Sequence, residues 1–129
     1  MPKRIKSRQS LEEILASCSD TLFPAQMGKA EVQVNSTDVE GDTPLHVLTQ
    51  RGNTYGIKLL LEAGAHVNAL GDMSETPLHI AVRKGNAEVV ALLLDSGADP
   101  DIVSEFDETP RSMTAQADSA LLRRLFAQR

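Results

Sequence analysis

TPLHIA, at residues 76–81, is the stretch that decides the fold. It occurs almost unchanged 33 positions earlier, as TPLHVL at residues 43–48, and a weaker version, TPRSMT, begins 33 positions later at residue 109. The flanking sequence keeps the same register, since LLLEAGA at residues 59–65 returns as LLLDSGA at residues 92–98. A fixed period of this length indicates an array of similar structural units.

The residues of one unit predict two helices joined by a turn. Thr76 stands directly before Pro77, so the threonine caps a first helix and the proline fills its first turn, where a missing N–H costs nothing. Gly85 is suited to end that helix, Asn86 to cap a second one, and Gly97 to end the second. The residues after Gly97 are expected to run out and back as a hairpin-like loop. No unit buries its apolar face alone, so neighbouring units must stack.

The period and the TPLH motif resemble those of the ankyrin-repeat family. The resemblance implies an all-α solenoid of stacked helix-turn-helix units with protruding hairpin-like loops. The expected parts are a flexible basic tail (1–9), an N-terminal capping unit (10–37), two full repeats (38–70 and 71–103) and a C-terminal capping repeat (104–129).

The two caps are degenerate. Ser10 followed by Glu13 is a capping-box pattern, and because Ser10 lies 33 positions before Thr43, its helix is expected in the place of an inner helix. The side chains expected to face the first full repeat are Leu11, Ile14 and Leu15. In the last helix, residues 118–128, the apolar side is expected to comprise Leu121, Leu122, Leu125 and Phe126.

Both full repeats depart from the family pattern. Repeat one has Leu48 where alanine is usual, and Gly56 inside its second helix. That glycine marks a soft helix start or the close approach of a neighbouring backbone. Repeat two has Gly71 where aspartate is usual and Ser74 where glycine is usual, so a non-standard turn is expected there.

Charge is distributed unevenly along the chain. The net charge is −5, and apart from four basic residues in the tail the chain carries 9 basic against 18 acidic residues. An acidic body makes nucleic acid an unlikely partner, because phosphate binding needs clustered lysine and arginine. The tail is a solvated terminus or, alternatively, a nuclear-targeting or anionic-surface segment. Its basic residues are Lys3, Arg4, Lys6 and Arg8.

Compartment and chemistry follow from what the sequence contains. No apolar run is long enough to predict a membrane span or a signal peptide, and Cys18 is the single cysteine, so a cytoplasmic protein is expected.

Cys18 is interpreted as a buried core residue, and His66 as an exposed loop residue. The resemblance implies that the motif histidines His46 and His79 bridge the backbone of adjacent loops. No catalytic, cofactor-binding or metal-binding residues are expected, and the chain is not expected to be an enzyme.

The resemblance also implies a binding face, made of the loop tips and the exposed side of each first helix. The tips are acidic, and the last turns of the first helices carry basic residues. Met73 and Phe106 stand 33 positions apart among the acidic tips, either as exposed apolar anchors for a partner or folded inward over the loop backbone. The predicted partner-binding residues are Glu40, Asp42, Arg51, Asp72, Met73, Glu75, Arg83, Lys84, Glu105, Phe106 and Glu108.

These features predict a monomeric, non-enzymatic protein-binding module. The acidic tips predict a partner protein with a basic patch. Since so small a chain offers little room for a second activity, the expected role is an inhibitor, an antagonist or an immunity-type binder. An adaptor or scaffold is the alternative within binding. A binder of nucleic acid or anionic surfaces through the tail is the alternative from another class.

Overall fold

The computed structural model describes residues 9–129, and within that range the regular elements are helices. The four basic residues of the tail lie outside the described range. Two single 3-10 turns occur at Pro24–Gln26 and Asp72–Ser74. The α-helices are α1 (Leu11–Ser17), α2 (Ser19–Leu22), α3 (Pro44–Arg51), α4 (Thr54–Glu62), α5 (Pro77–Lys84), α6 (Ala87–Asp95), α7 (Pro110–Gln116) and α8 (Ala120–Ala127).

The helices form two stacked rows. Helices α3, α5 and α7 pack side by side as an inner row, and α4, α6 and α8 pack side by side as an outer row. Each inner helix also packs on the outer helix of its own unit. This is the predicted all-α solenoid, in which each unit buries its apolar face against its neighbours.

The inner helices begin and end where the motif predicts. Thr43, Thr76 and Thr109 each accept a hydrogen bond from the backbone N–H three residues on, and in each case that residue bonds back to the cap. Helices α3 and α5 end at Gly52 and Gly85, both left-handed with φ of 70°. The third unit lacks such a glycine, and α7 ends one residue earlier in the repeat, before an extended residue.

The first turn of α4 shows how repeat one accommodates its departures. Its cap is Asn53, as predicted, with a side chain that accepts the N–H of Gly56. A Cβ added to Gly56 would lie 2.7 Å from Cδ1 of Leu48. The equivalent positions in repeat two hold Ala81 and Val89, and all four residues are buried. Gly56 therefore makes room for a neighbouring side chain, not for a neighbouring backbone.

The N-terminal cap is built differently from the prediction. Ser10 and Glu13 do form a capping box, and Ile14 and Leu15 are buried. However, α1 packs chiefly against the outer helix α4, and the short α2 contacts the inner helix α3. The expected place of α1 as an inner helix is therefore wrong. A cap must cover both helices of the first repeat, and here the helical segment splits at Cys18 so that its two halves cover one each.

The C-terminal cap is closed by α8 and by arginines. Leu122 and Phe126 are buried against the core, but Leu121 is 50% exposed, so its predicted place on the apolar side is wrong. Arg111 forms an ion pair with Asp101 and also donates to the carbonyl oxygens of Phe126 and Arg129 at the end of the chain. These bonds satisfy backbone acceptors at a helix C-terminus.

Candidate protein-binding groove

A groove of about 850 Å³ runs across the inner row. Its walls come from α2, from the exposed sides of α3 and α5, and from three loops, residues 38–42, 71–75 and 104–108, which we call the tip loops. Eight of the eleven residues predicted to bind a partner line this groove. They are Asp42, Arg51, Asp72, Met73, Glu75, Arg83, Phe106 and Glu108.

The other three predicted residues lie outside the groove lining. Glu40 and Glu105 are exposed on the first and third tip loops, and Lys84 is exposed in the last turn of α5. Glu105 connects neighbouring tip loops, because its N–H donates to the carbonyl of Met73 and its carboxylate accepts a bond of 3.2 Å from Ser74 Oγ.

The apolar floor of the groove consists of two residues that the site prediction omitted. Val47 and Ile80 line the groove and are only 5% and 6% exposed. A signal was present: Val47 follows Leu45 by two residues, which places the two side chains about 200° apart around a helix. Since Leu45 already faces the core, Val47 points toward the opposite side.

Met73 and Phe106 stand at the edge of this floor. Their side chains are 45% and 57% exposed, so the alternative that they fold inward over loop backbone is wrong. Met73 has a left-handed backbone with φ of 58°, which an L residue adopts at a cost. The turn is non-standard, as predicted, and it holds Met73 beside the groove.

Glu75 does not lie where the sequence placed it. It was expected among the exposed acidic tips, but it is 7% exposed and its carboxylate accepts from the guanidinium of Arg83 in an ion pair. Its backbone carbonyl is also used, accepting from Nε2 of His46 at 2.9 Å. The guanidinium of Arg83 balances the charge of this carboxylate. Glu75 therefore contributes to the groove as a paired group, not as a charge on the rim.

His46 and His79 bridge the units, as the resemblance implied. Nδ1 of His46 accepts the N–H of Thr43 at 3.1 Å, so the ring is neutral with its proton on Nε2, which donates to the carbonyl of Glu75. His79 repeats both bonds, with Thr76 and with the carbonyl of Glu108. Burial lowers the pKa of His46 below its ordinary value, although the Glu75 carbonyl and Asp42 act in the other direction.

Arg51 holds the N-terminal cap. Its guanidinium donates to the hydroxyl and carbonyl of Ser17 at 3.0 Å each and to the hydroxyl of Thr21 at 3.2 Å. Most of its donors are thus occupied within the chain, although it also lines the groove.

The remaining chemical candidates are structural or unclustered. Cys18 is fully buried, which raises the pKa of its thiol, with Arg51 as a weaker opposing influence. His66 is exposed. Among residues 9–129, no group of three or more histidine, cysteine, aspartate or glutamate side chains is placed to hold a metal ion.

Two rows of stacked helices, linked by histidine bridges and edged by exposed loops, define a helical-repeat recognition protein. The chain belongs to the ankyrin-repeat family: the family described as ankyrin repeats (3 copies) matches residues 12–104, well over half of the 129 residues. The match begins within α1 and so includes part of the N-terminal cap. Ankyrin repeats are a family of non-enzymatic protein-protein interaction modules, and this chain therefore contains a protein-protein interaction module.

A search of curated proteins found no significant match to the chain. Across residues 9–129, no helix is long and apolar enough to cross a membrane.

Proposed function

We propose that the groove binds a partner protein that carries a basic patch, and that the chain acts by covering that partner's surface. The observation that carries the proposal is the pair of exposed apolar side chains, Met73 and Phe106, beside a floor made of Val47 and Ile80. An apolar centre surrounded by charge is typical of binding hot spots.

The charges around this centre favour a basic partner. Asp42, Asp72 and Glu108 line the groove, and none of them belongs to an ion pair among the described residues. Of the two arginines of the groove, Arg83 balances the charge of Glu75, and Arg51 alone faces the three unpaired carboxylates while donating to neutral oxygens of the N-terminal cap. The unbalanced charge is therefore negative. It attracts cationic surfaces and increases their association rate at low salt.

An inhibitor, antagonist or immunity-type role fits this geometry better than catalysis. The groove offers recognition, and its buried histidines are held in structural bridges. We propose that one copy of the chain, in the cytoplasm, blocks the surface that it covers. A partner whose activity falls in proportion to the fraction bound supports this role, whereas a partner that stays active while a second protein is recruited indicates an adaptor.

The test is affinity capture from the source cell with three versions of the chain. The first is native and the second is the Met73→Ala/Phe106→Ala variant. The third is Leu70→Ala/Val103→Ala, a matched control, because Leu70 and Val103 are also 33 positions apart and are 52% and 55% exposed, but do not line the groove. The proposal expects a partner held by the native chain and the control but lost with the second variant. Equal retention by all three chains excludes the groove.

Charge is tested separately. An Asp72→Asn/Glu108→Gln variant removes two of the three unpaired carboxylates of the groove without changing side-chain size. We expect a slower association with the partner and a weaker dependence of that rate on salt. A rate and a salt dependence that both stay unchanged would exclude electrostatic attraction by the groove.

A further inference from the structure

The groove contains a column of equivalent carboxylates. Asp42, Glu75 and Glu108 are 33 positions apart, each directly precedes a capping threonine, and all three line the groove. The histidine bridges connect neighbouring members, since His46 donates to the Glu75 carbonyl and His79 to the Glu108 carbonyl. Neighbouring packed helices lie about 8–10 Å apart. Asp42 and Glu108, two units apart, are therefore separated by about 16–20 Å.

Among residues 9–129, only the central carboxylate of this column has its own cation. Glu75 pairs with Arg83, whereas the residues equivalent to Arg83 in the neighbouring units are Gln50 and Gln116. The carboxylate side chain of Glu75 is 10% exposed, but the side chain of Arg83 is 45% exposed. The centre of the column therefore presents a guanidinium to a partner, and the two ends present carboxylates.

A cation from the partner gains little at the centre. To reach Glu75 it must displace Arg83, which exchanges one cation for another at the same carboxylate. Arg83 is also tethered in the same chain, so its effective concentration is high. A hydrogen-bond acceptor gains more, because a guanidinium has five N–H donors and the described bonds of Arg83 use one of them, toward Glu75.

We propose that Arg83 determines which order of charged side chains along a partner segment the groove binds. The favoured partner segment has a basic side chain at each end and a hydrogen-bond acceptor or an acidic side chain at its centre, with apolar side chains between them for the floor. A polyproline II segment rises about 3.1 Å per residue and has three residues per turn, so two basic residues about six positions apart span this distance and share one face with the residue midway between them. The inference rests on the proposed function, and it assigns the specificity of the groove to one residue.

The experiment uses three peptides of one design, acetyl-Lys-Pro-Leu-X-Leu-Pro-Lys-amide, in which X is glutamate, glutamine or lysine and the prolines favour the polyproline II conformation. Binding to the full chain is measured by isothermal titration calorimetry at low salt. The native chain is expected to bind the glutamate peptide about two- to fivefold more tightly than the lysine peptide, as for a half-exposed charge pair. Arg83→Gln gives the central unit the same residue as its neighbours at this position. We expect this variant to bind the lysine peptide more tightly than the glutamate peptide.

Two further variants separate specificity from stability. Lys84→Gln removes a positive charge from the adjacent residue, which does not line the groove, and it is expected to leave the order of the three peptides unchanged. Arg83→Gln leaves Glu75 buried without its cation, so the Arg83→Gln/Glu75→Gln double variant provides a second reading if the single variant unfolds. In the double variant the preference between the glutamate and lysine peptides should disappear.

Several results would overturn the proposal. The same order in the native chain, Arg83→Gln and the double variant means that Arg83 does not select charge. Binding of none of the peptides by any of these proteins shows that the groove does not present the two acidic ends to an extended segment. Neither result affects the capture test with Met73→Ala/Phe106→Ala, so the proposed function and the inference fail separately.

Discussion

Repeats one and two share a motif but fill two core positions in opposite ways. In repeat one the larger side chain is Leu48 on the inner helix, facing Gly56 on the outer helix. In repeat two the inner helix has Ala81 and the outer helix has the larger Val89. Both pairs are buried, so the space between the two helices is filled either way. What packing requires is the combined volume of the pair, not the residue at either position.

The tip loops of the two repeats differ in a similar way. In repeat one, the carboxylate of Asp38 accepts the N–H groups of Glu40 and Asp42 within its own loop. Repeat two has Gly71 at that position, and the N–H of Asp72 is instead accepted by Asp42 of the preceding repeat at 2.9 Å. The first loop is thus stabilised locally, while the second depends on its neighbour. An array tolerates such a change because adjacent units supply the missing partner.

The largest expected effect tests whether Leu48 and Gly56 fill one space between their helices. Leu48→Ala leaves a cavity opposite Gly56 and should lower the free energy of unfolding by about 2–5 kcal/mol, measured by urea denaturation. The double variant Leu48→Ala/Gly56→Val gives repeat one the residue pair of repeat two, and we expect it to recover more than half of that loss. If the double variant is no more stable than Leu48→Ala, the two positions do not share one volume.

The second prediction concerns the close approach at Gly71. A Cβ on this residue would lie 2.1 Å from Oδ1 of Asp42 and 2.7 Å from Nε2 of His46. Gly71→Ala should therefore lower the free energy of unfolding by about 1–3 kcal/mol in a denaturant titration. The control is Ser104→Ala in the third unit, which removes only a bond of 3.2 Å to the N–H of Phe106. Equal losses from both substitutions would show that the approach of Asp42 and His46 is not what requires glycine.

The third prediction uses pH to test the bridge from repeat one to repeat two. Burial lowers the pKa of His46 in the folded state, so below about pH 6.5 the unfolded chain takes up a proton that the buried ring resists. The contribution of His46 to the free energy of unfolding should therefore be fully present above that pH. It should decrease as pH falls toward 5, with a slope of at most about 1.4 kcal/mol per pH unit. Denaturant titrations at several pH values measure the slope.

His46→Gln is the matching variant for the pH series. It should be less stable at pH 7, because the bond to the Glu75 carbonyl is weakened, but its stability should depend less on pH between 7 and 5. An unchanged slope in the variant would assign the pH dependence to other groups.

The smallest expected effect is at the equivalent left-handed positions of the tip loops. They hold Gly41 with φ of 95° in repeat one and Ser74 with φ of 57° in repeat two. Ser74→Gly should raise the free energy of unfolding by about 0.5–1 kcal/mol, visible as a small rise in melting temperature. Gly41→Ala should act in the opposite direction, since its Cβ would lie 2.8 Å from the carbonyl oxygen of Leu70. A lower melting temperature for Ser74→Gly would contradict the argument from backbone strain.

Sequence reasoning predicted the local features of the fold well. Helix starts at Thr43, Thr76 and Asn86, and helix ends at Gly52 and Gly85, depend on residues within a few positions of one another. A cap acts on the N–H groups of its own first turn, so its chemistry is visible in a short stretch of sequence. The two stacked rows then followed from the 33-residue period.

The candidate site was harder to predict, because its residues come from different helices and loops, and several of them from different units. Nothing near Glu75 in the sequence shows that Arg83, eight residues away and in the next helix, reaches its carboxylate. Similarly, Val47 and Ile80 are apolar residues in amphipathic helices, and only the stacking of α3 against α5 places both on one floor. The course of α1 depended on where the chain bends at Cys18.

The sequence by itself determined the repeat and the helix caps of its units, because these depend on short-range chemistry repeated at a fixed spacing. The motif and its period also carried the resemblance to the family, and that resemblance implied the histidine bridges. The tertiary structure alone decided that Glu75 is buried with Arg83, that Leu48 and Gly56 share one space, and that Met73 and Phe106 remain exposed. These outcomes depend on distances between side chains of different helices and loops. Periodicity specifies which residues are equivalent, but only packing specifies which of them meet.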